Sequence, residues 1–495
     1  MGGRTHTWRR RREPVVAPTL NTLAAATWDV IVVGGGNAAL VAALSARHHA
    51  ERVLVLERAP IEFRGGNSRH TRNVRCVHDY SDEFYTGHYT FAELWEDLQG
   101  IGTGPSNEEL AGLTLSESET IPAWMTDHGI RWQQPLTGTL QLGRTNRFFL
   151  GGGKALVNTY YETARRMGVT VAYEAMVEEL EISGDRCTGV LVRSGEQTAR
   201  LQARAVVCAS GGFEANIEWL SRYWGDAAHN YIIRGPYYND GAVLQALYDQ
   251  GAASAGEERG FHAVAVDARS PRYDGGIATR LDCIPFGIVL NRHAERFYDE
   301  GEDLWPKRYA IWGRNIAQQD DQIAYCFWDS KVHGRFLPPM YGTTSAPSVR
   351  GVAAALGIDA GQASETIDGY NRAVVPGQLD MTKLDDCTTH GLAIPKSHWA
   401  QPLDTPPYYG VAMRPGITFT YKGVAVDHAA RVQRSEGGSF ANVFAAGEIM
   451  SGNILSSGYL AGFGMTIGSV WGRIAGREAA AVAVSGQEAS SVALV

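Results

Sequence analysis

The sequence predicts an α/β protein in which a doubly wound layer of parallel strands is interrupted by a second unit of different patterning. Three observations predict it. A β-branched run over residues 28–33 ends in Gly34-Gly35-Gly36-Asn37-Ala38-Ala39 and passes into an Ala- and Leu-rich helical stretch as far as His48, which reads as strand, tight turn, helix. Buried-type strands running into glycine turns return at Val206-Val207-Cys208-Ala209-Ser210-Gly211-Gly212-Phe213 and at Asn442-Val443-Phe444-Ala445-Ala446-Gly447-Glu448. Between residues 262 and 405 the periodicity weakens and aromatic and arginine residues accumulate.

Each element follows in chain order. Residues 1–27 carry the basic cluster Arg9 to Arg12, then Pro14, Pro18 and Ala24-Ala25-Ala26. The stretch between the arginines and the alanines is too weakly apolar for a twin-arginine export signal, so a disordered extension is expected there. The first strand leads into the glycine turn, and a second apolar run over 52–56 ends in Glu57 and Arg58, about 20 residues after the turn. Gly151-Gly152-Gly153-Lys154 introduces a helix ending near Gly168, and alternating strands continue to about 209. Residues 262–405, with a helix-like stretch over 352–372, read as an inserted domain. The doubly wound pattern resumes from 406 and ends in a glycine-rich helix over 462–481. The expected boundaries are therefore 28–261, 262–405 and 406–495.

Composition bounds the function. At 495 residues the chain exceeds one core and has room for roughly two to four domains. It is 44% apolar and 20% charged, with 57 glycines, as a globular enzyme would be. No apolar run reaches the roughly 18 residues that read as a membrane span. A net charge of −8 argues against nucleic acid as the ligand. Six scattered cysteines without a C-x-x-C give no metal-site spacing and suit buried thiols in a reducing cytoplasm.

The element Gly34-x-Gly36-x-x-Ala39 points to a dinucleotide. Gly34 permits the tight turn, Gly36 lets backbone approach a pyrophosphate, and Asn37 and Ala38 open the helix whose N-terminus faces it. Glu57 is placed to accept from ribose hydroxyls. The further glycine turns Gly65-Gly66-Asn67-Ser68, Gly211-Gly212 and Gly447-Glu448 suit a longer path, which favours FAD over NAD. A Rossmann-like FAD-binding domain with an inserted α+β capping domain for the substrate is the expected fold.

Longer strings carry a resemblance. They are Arg64-Gly65-Gly66-Asn67-Ser68-Arg69-His70-Thr71-Arg72-Asn73, Tyr273-Asp274-Gly275-Gly276-Ile277, Arg296-Phe297-Tyr298-Asp299-Glu300-Gly301-Glu302-Asp303 and Arg414-Pro415-Gly416-Ile417-Thr418-Phe419-Thr420-Tyr421. Over residues 28–480 the chain resembles the fumarate reductase/succinate dehydrogenase flavoprotein superfamily and, more narrowly, the tricarballylate dehydrogenases within it. The resemblance implies non-covalent FAD, because Ser68 stands where covalent members carry histidine. It places Gly447-Glu448 at the ribitol and aims the last helix at the flavin pyrimidine. It also implies a separate iron–sulfur and haem membrane partner that reoxidises the flavin, and so a cytoplasmic protein held peripherally at the membrane.

For the substrate, the resemblance matches His262 to a substrate-binding histidine, Thr279 to a substrate-binding threonine and Arg308 to a proton-delivering arginine. Arg280 stands where the acid would be, Thr418-Phe419 where a histidine would be, and Tyr459 where a second clamping arginine would be. Fumarate is thereby disfavoured. From position alone, Arg69, Arg72 and Arg75 follow the flavin-contacting turn, and guanidinium groups clamp carboxylates with paired hydrogen bonds. Arg308, backed by Glu300, Glu302 or Asp303, is the expected base, and Tyr459 its rival. His390 and His398 have the weaker claim of lone histidines. The expected reaction is oxidation of a carbon–carbon bond beside a carboxylate, tricarballylate to cis-aconitate in particular. A ketosteroid-type desaturase and a flavin-binding electron-transfer subunit without its own substrate are the alternatives.

Overall fold

The computed structural model describes residues 18–135 and 142–492. Five strands form the parallel part of an eight-stranded sheet, in the order Ser439–Ala445, Gln197–Cys208, Thr27–Val33, Val53–Leu56 and Thr170–Ala172. Arg431–Gln433 pairs antiparallel on one edge, and the hairpin of Met176–Ser183 and Arg186–Ser194 adds to the far end of Gln197–Cys208. Val30 to Val33 are buried on both faces of the sheet. Such strands read as continuous β-branched runs because helices cover both sides.

The helix Asn37–Arg47 follows the first strand, and its residues 37–46 are all buried. Its cover is the last helix, Phe463–Val492. A Cβ at Gly472 would lie 2.6 Å from the Ala38 carbonyl oxygen, and one at Gly476 would lie 2.2 Å from that of Ala42. Glycine on one helix and alanine on the other thus bring two backbones into direct contact. That contact fixes where the N-terminus of Asn37–Arg47 points.

A second, six-stranded sheet is organised around the long strand Tyr408–Thr420, which pairs with Ile232–Ile233, Phe261–Asp267, Ala324–Asp329 and Thr344–Ala346, while Ile288–Asn291 extends it. Alternate residues serve two apolar clusters. Cys326 and Trp328 face one with Trp305 and Trp312, whereas Tyr325 and Phe327 face the other with Val352 and Ile367. Both faces are therefore covered.

Three expectations need correction. The disordered extension was expected over 1–27. Residues 1–17 lie outside the described residues, but 20–24 form a helix (Leu20–Ala24) capped by Thr19, with Leu20 and Leu23 buried and the Leu23 carbonyl accepting from the Trp28 indole. The alanine-rich composition concealed two leucines at helical spacing. The 352–372 stretch is two helices, Val349–Leu356 and Ala360–Ala373, parted at Gly357, whose φ of +78° ends the first. Finally, the second sheet does not end at 405: its central strand is Tyr408–Thr420.

Candidate active site

Two cavities meet at the carboxyl ends of the parallel strands, where an open α/β sheet offers its crevice. The first, about 880 Å³ of open space, is lined by Gly34, Gly36, Glu57, Arg58, Gly66 and Gly211. Gly34 has φ +113°, and a Cβ there would meet the Ala209 carbonyl oxygen at 2.3 Å, so only glycine closes this turn. Gly36 begins the helix and has no side chain of its own to cap it; Ser68 Oγ takes the Asn37 N–H, and the N–H groups that follow are left at the cavity. Glu57 takes hydrogen bonds from the N–H groups of Ala59 (2.9 Å) and Gly65 (3.1 Å), and burial lifts its carboxyl above the ordinary range. Arg58 is held by Asp240 at 2.5 Å.

Asn37, Ala38, Asn67, Ser68 and Glu448 line both cavities and form their junction. Asn37 donates its backbone N–H to Ser68 Oγ at 2.9 Å. Asn67 Nδ2 donates to Glu214 Oε1 (2.7 Å), to the Thr418 carbonyl (2.6 Å) and to Glu448 Oε2 (3.3 Å). Gly447 lines the second cavity. A Cβ on Gly212 would meet Glu448 Oε1 at 2.3 Å. Glu214 and Glu448 are buried together, and burial and then their mutual repulsion hold Glu448 well above the carboxylate range. Asn37 Oδ1 and Asn67 Oδ1 are buried acceptors without a donor among the described residues. A polyol chain passing the junction would supply the missing donors, so the residues fit the ribityl part of FAD as well as its diphosphate.

The second cavity, about 1040 Å³, continues past this junction and is lined by Arg72, Arg234, Arg280, His262, Tyr309 and Tyr459, among others. His262 sits opposite Phe419 in the second sheet, where the register shifts, and its ring stacks on Tyr459 at 3.8 Å. Burial, then Arg234 and Arg280, keeps it well below the ordinary histidine value, so it is neutral. The Tyr459 hydroxyl accepts from the Gly464 N–H at 3.1 Å. Arg280 pairs with the buried Asp282 at 2.8 Å and lies over the Tyr309 ring. The Arg72 side chain makes no ion pair or hydrogen bond among the described residues, and its Nη2 is buried without a partner. Burial and then Arg280 pull Arg72 down to about 9, and the same two causes pull Arg234 down to about 10.

Four expected residues therefore converge: Arg72, Arg280, His262 and Tyr459. Others do not. Arg308 is outside the cavity lining and faces Glu302 (3.4 Å) and Asp303 (3.9 Å). The turn that begins at Trp305–Arg308 presents the next residue, Tyr309, instead. Arg69 turns to Asp274 at 3.7 Å, and the Thr279 hydroxyl is spent on the Gly276 carbonyl at 3.3 Å. Arg75 binds the Ala461 carbonyl and the Tyr89 hydroxyl, pinning the loop before the last helix. His398 Nδ1 meets the Asp385 carbonyl, away from both cavities. Arg234, Tyr309 and Asp282 carried no motif. Glu214 did have a signal, since it follows the Gly211-Gly212 turn.

Fold and site together define an FAD-dependent oxidoreductase with a fumarate reductase-like fold. The model of the FAD binding domain family matches residues 29–462, and the chain belongs to that family. It is 26% identical to the NADH:fumarate oxidoreductase of Klebsiella pneumoniae (strain 342), across 93% of this chain but 48% of that protein, so it spans about half of that relative's length. It is 24% identical to the 4-oxocyclohexanecarboxylate 2-dehydrogenase of Sinomonas cyclohexanicum, covering 94% of this chain and 95% of the relative. Among solved structures, a flavocytochrome c3 fumarate reductase in its open conformation superposes with a TM-score of 0.72 at 21% identity, covering 93% of this chain and 79% of the other.

Proposed function

We propose that this enzyme dehydrogenates a CH–CH bond flanked by carboxylates, taking tricarballylate to cis-aconitate or acting on a close polycarboxylate. The observation that carries the reading is the charge of the second cavity: three arginines line it, and Asp282 is the one acid paired with any of them among the described residues. Buried guanidinium groups without counter-ions are costly, and an anion with two or more carboxylates neutralises them. At about 4 Å and partial burial each such pair gains on the order of 4 kcal/mol before desolvation.

Arg280, held in place by Asp282, clamps a carboxylate beside the bond to be oxidised. Arg72 follows the Asn67-Ser68 segment in sequence, and burial and then Arg280 pull it down to about 9, so in its neutral form it receives the departing proton. Neutral His262 and Tyr459, stacked on each other, wall the cavity and exclude water. When bound, FAD supplies the acceptor for the second hydrogen as hydride. Ser68 and Asn37 are hydrogen-bonded to each other, and His70 Nε2 is engaged with Asp274 at 2.5 Å, which supports a flavin held without a covalent link. The electrons would leave through a separate iron–sulfur or haem protein at the inner face of the membrane, as the resemblance implies.

Anaerobic stopped-flow mixing tests the reading. Tricarballylate is expected to bleach the flavin within one turnover. A second outcome has its own support, since Tyr459 and Phe419 offer a less polar wall and the Sinomonas relative is named for a keto acid with one carboxylate. Bleaching by 4-oxocyclohexanecarboxylate and not by tricarballylate would replace the polycarboxylate reading. No bleaching by any carboxylate would leave a flavin-binding electron-transfer subunit.

A further inference from the structure

Arg234 is built into the second cavity by its backbone as well as by its side chain. It follows the two-residue strand Ile232–Ile233, which pairs with Gly416 and Ile417 of the long strand. Its backbone N–H donates to the Ile417 carbonyl at 2.8 Å, and its own carbonyl accepts from the Gly276 N–H at 2.9 Å. The side chain is fixed as firmly: Nε donates to the Gly276 carbonyl at 3.1 Å and Nη1 to Thr418 Oγ1 at 2.6 Å. The Thr418 carbonyl is in turn held by Asn67 Nδ2 at 2.6 Å. A sequence of hydrogen bonds therefore runs from the junction residue Asn67 through Thr418 to the guanidinium and ties it to the meeting point of the two cavities.

This buried cation has no carboxylate. Arg234 is 6% exposed and lines the cavity, yet it forms no ion pair among the described residues, and its Nη2 makes no hydrogen bond among them. Both nearby acids are committed elsewhere. Asp282 pairs with Arg280 and accepts from the Trp305 indole at 2.8 Å. Asp274 is taken by His70 and Arg69. Neutral hydrogen bonds from a carbonyl and a hydroxyl orient a guanidinium without discharging it. A structural arginine buried in a core would be expected to have an acid beside it.

Resting on the polycarboxylate reading, we infer that Arg234, oriented by Thr418, is the subsite for a third carboxylate and makes the enzyme prefer tricarboxylates to dicarboxylates of the same skeleton. Arg280 and Arg72 suffice for the carboxylate and the proton at the reacting carbons. Arg234 adds a third charge to the same cavity, near His262 and Tyr459, for which a dicarboxylate of the same skeleton would offer only a methyl group. Leaving such a cation unpaired is what penalises the shorter ligand, because specificity is a difference between two complexes.

The test uses unsaturated products, which bind the oxidised holoenzyme without turnover. cis-Aconitate carries three carboxylates, and citraconate is the same molecule with one terminal carboxylate replaced by hydrogen. Dissociation constants come from the flavin spectral change and from calorimetry. The wild type is expected to prefer cis-aconitate by about 100-fold, the scale of a buried charge pair. In Arg234→Gln that preference falls below about fivefold, through weaker cis-aconitate binding. Thr418→Val keeps the charge and removes only the orienting hydroxyl, so it covers the case in which the glutamine variant loses FAD; its preference falls about tenfold. An unchanged ratio in Arg234→Gln, or in Thr418→Val where Arg234→Gln does not hold FAD, overturns the subsite, as does equal weakening of both ligands. If the wild type binds neither anion, the polycarboxylate reading itself fails, and the subsite with it. Wild-type binding and bleaching with an unselective Arg234 overturns the subsite alone.

Discussion

An arginine holds its proton to above pH 12 in water, so its use as a base needs a physical cause. Arg72 has two, burial first and then the charge of Arg280, and together they bring it to about 9. At pH 7 roughly 1% of molecules then hold it neutral. Tyr459 lies much further off, because its phenol is pushed up by burial and then by Tyr309. The second-order rate of flavin reduction at low substrate, which reports the free enzyme, is therefore expected to rise about tenfold per pH unit and to level near pH 9. Arg72→Gln should lower that rate by about 10² to 10⁴ while the flavin spectrum stays that of bound FAD. A rate flat from pH 6 to 9, or a glutamine variant within threefold of wild type, would remove Arg72 from the reaction. Tyr459→Phe is expected to cost less than tenfold, and a loss equal to that of Arg72→Gln would reverse the two roles.

At the level of elements, the contact between Asn37–Arg47 and Phe463–Val492 decides whether the cofactor crevice exists. Gly472 and Gly476 leave no room for a side chain against Ala38 and Ala42, so Gly472→Leu must push the helices apart. The N-terminus facing the diphosphate moves with them. The expected result is loss of at least 90% of bound FAD in the purified variant, read from the flavin-to-protein absorbance ratio, with helical circular dichroism retained. Full FAD occupancy in that variant would show that the crevice tolerates the displacement. This element was legible in advance because strand, glycine turn and helix occupy consecutive residues, and each states its geometry locally. Arg234 was not, since its orientation comes from Thr418, 184 residues away, across a two-residue parallel pairing that leaves no periodic trace. Arg308 failed for a related reason. One residue of offset in a short helical turn rotates a side chain by about 100°, and the resemblance that pointed to Arg308 did not fix the register of that turn, which presents Tyr309 to the cavity.

For the whole molecule, the buried carboxyls set how stability depends on acidity. Glu57, Glu214 and Glu448 are all raised above the ordinary value, chiefly by burial. A raised carboxyl favours the protonated folded state, so its contribution is complete below the unfolded value of about 4.5 and is lost as pH climbs through the folded values. The thermal midpoint of the FAD-free protein is expected to fall as pH rises from about 4.5 through neutrality. In Glu448→Gln, which removes one charge of the repelling pair, the fall should be shallower; an identical slope would mean that the pair does not titrate in that window.

The long strand Tyr408–Thr420 has a consequence for descent. At one end it pairs with Ala324–Asp329 and Thr344–Ala346, and at the other Thr418 and Thr420 hold Asn67 and Glu448 by backbone hydrogen bonds. Neighbouring residues of a strand point to opposite faces, so deleting one residue anywhere upstream in it would exchange the places of Thr418 and Phe419. Lineages derived from such an enzyme are free to lengthen, shorten or replace the loops of the second sheet, and so to drift in what they oxidise. They are not free to change the length of this strand, which is the ruler by which the variable half of the molecule is measured against the constant one.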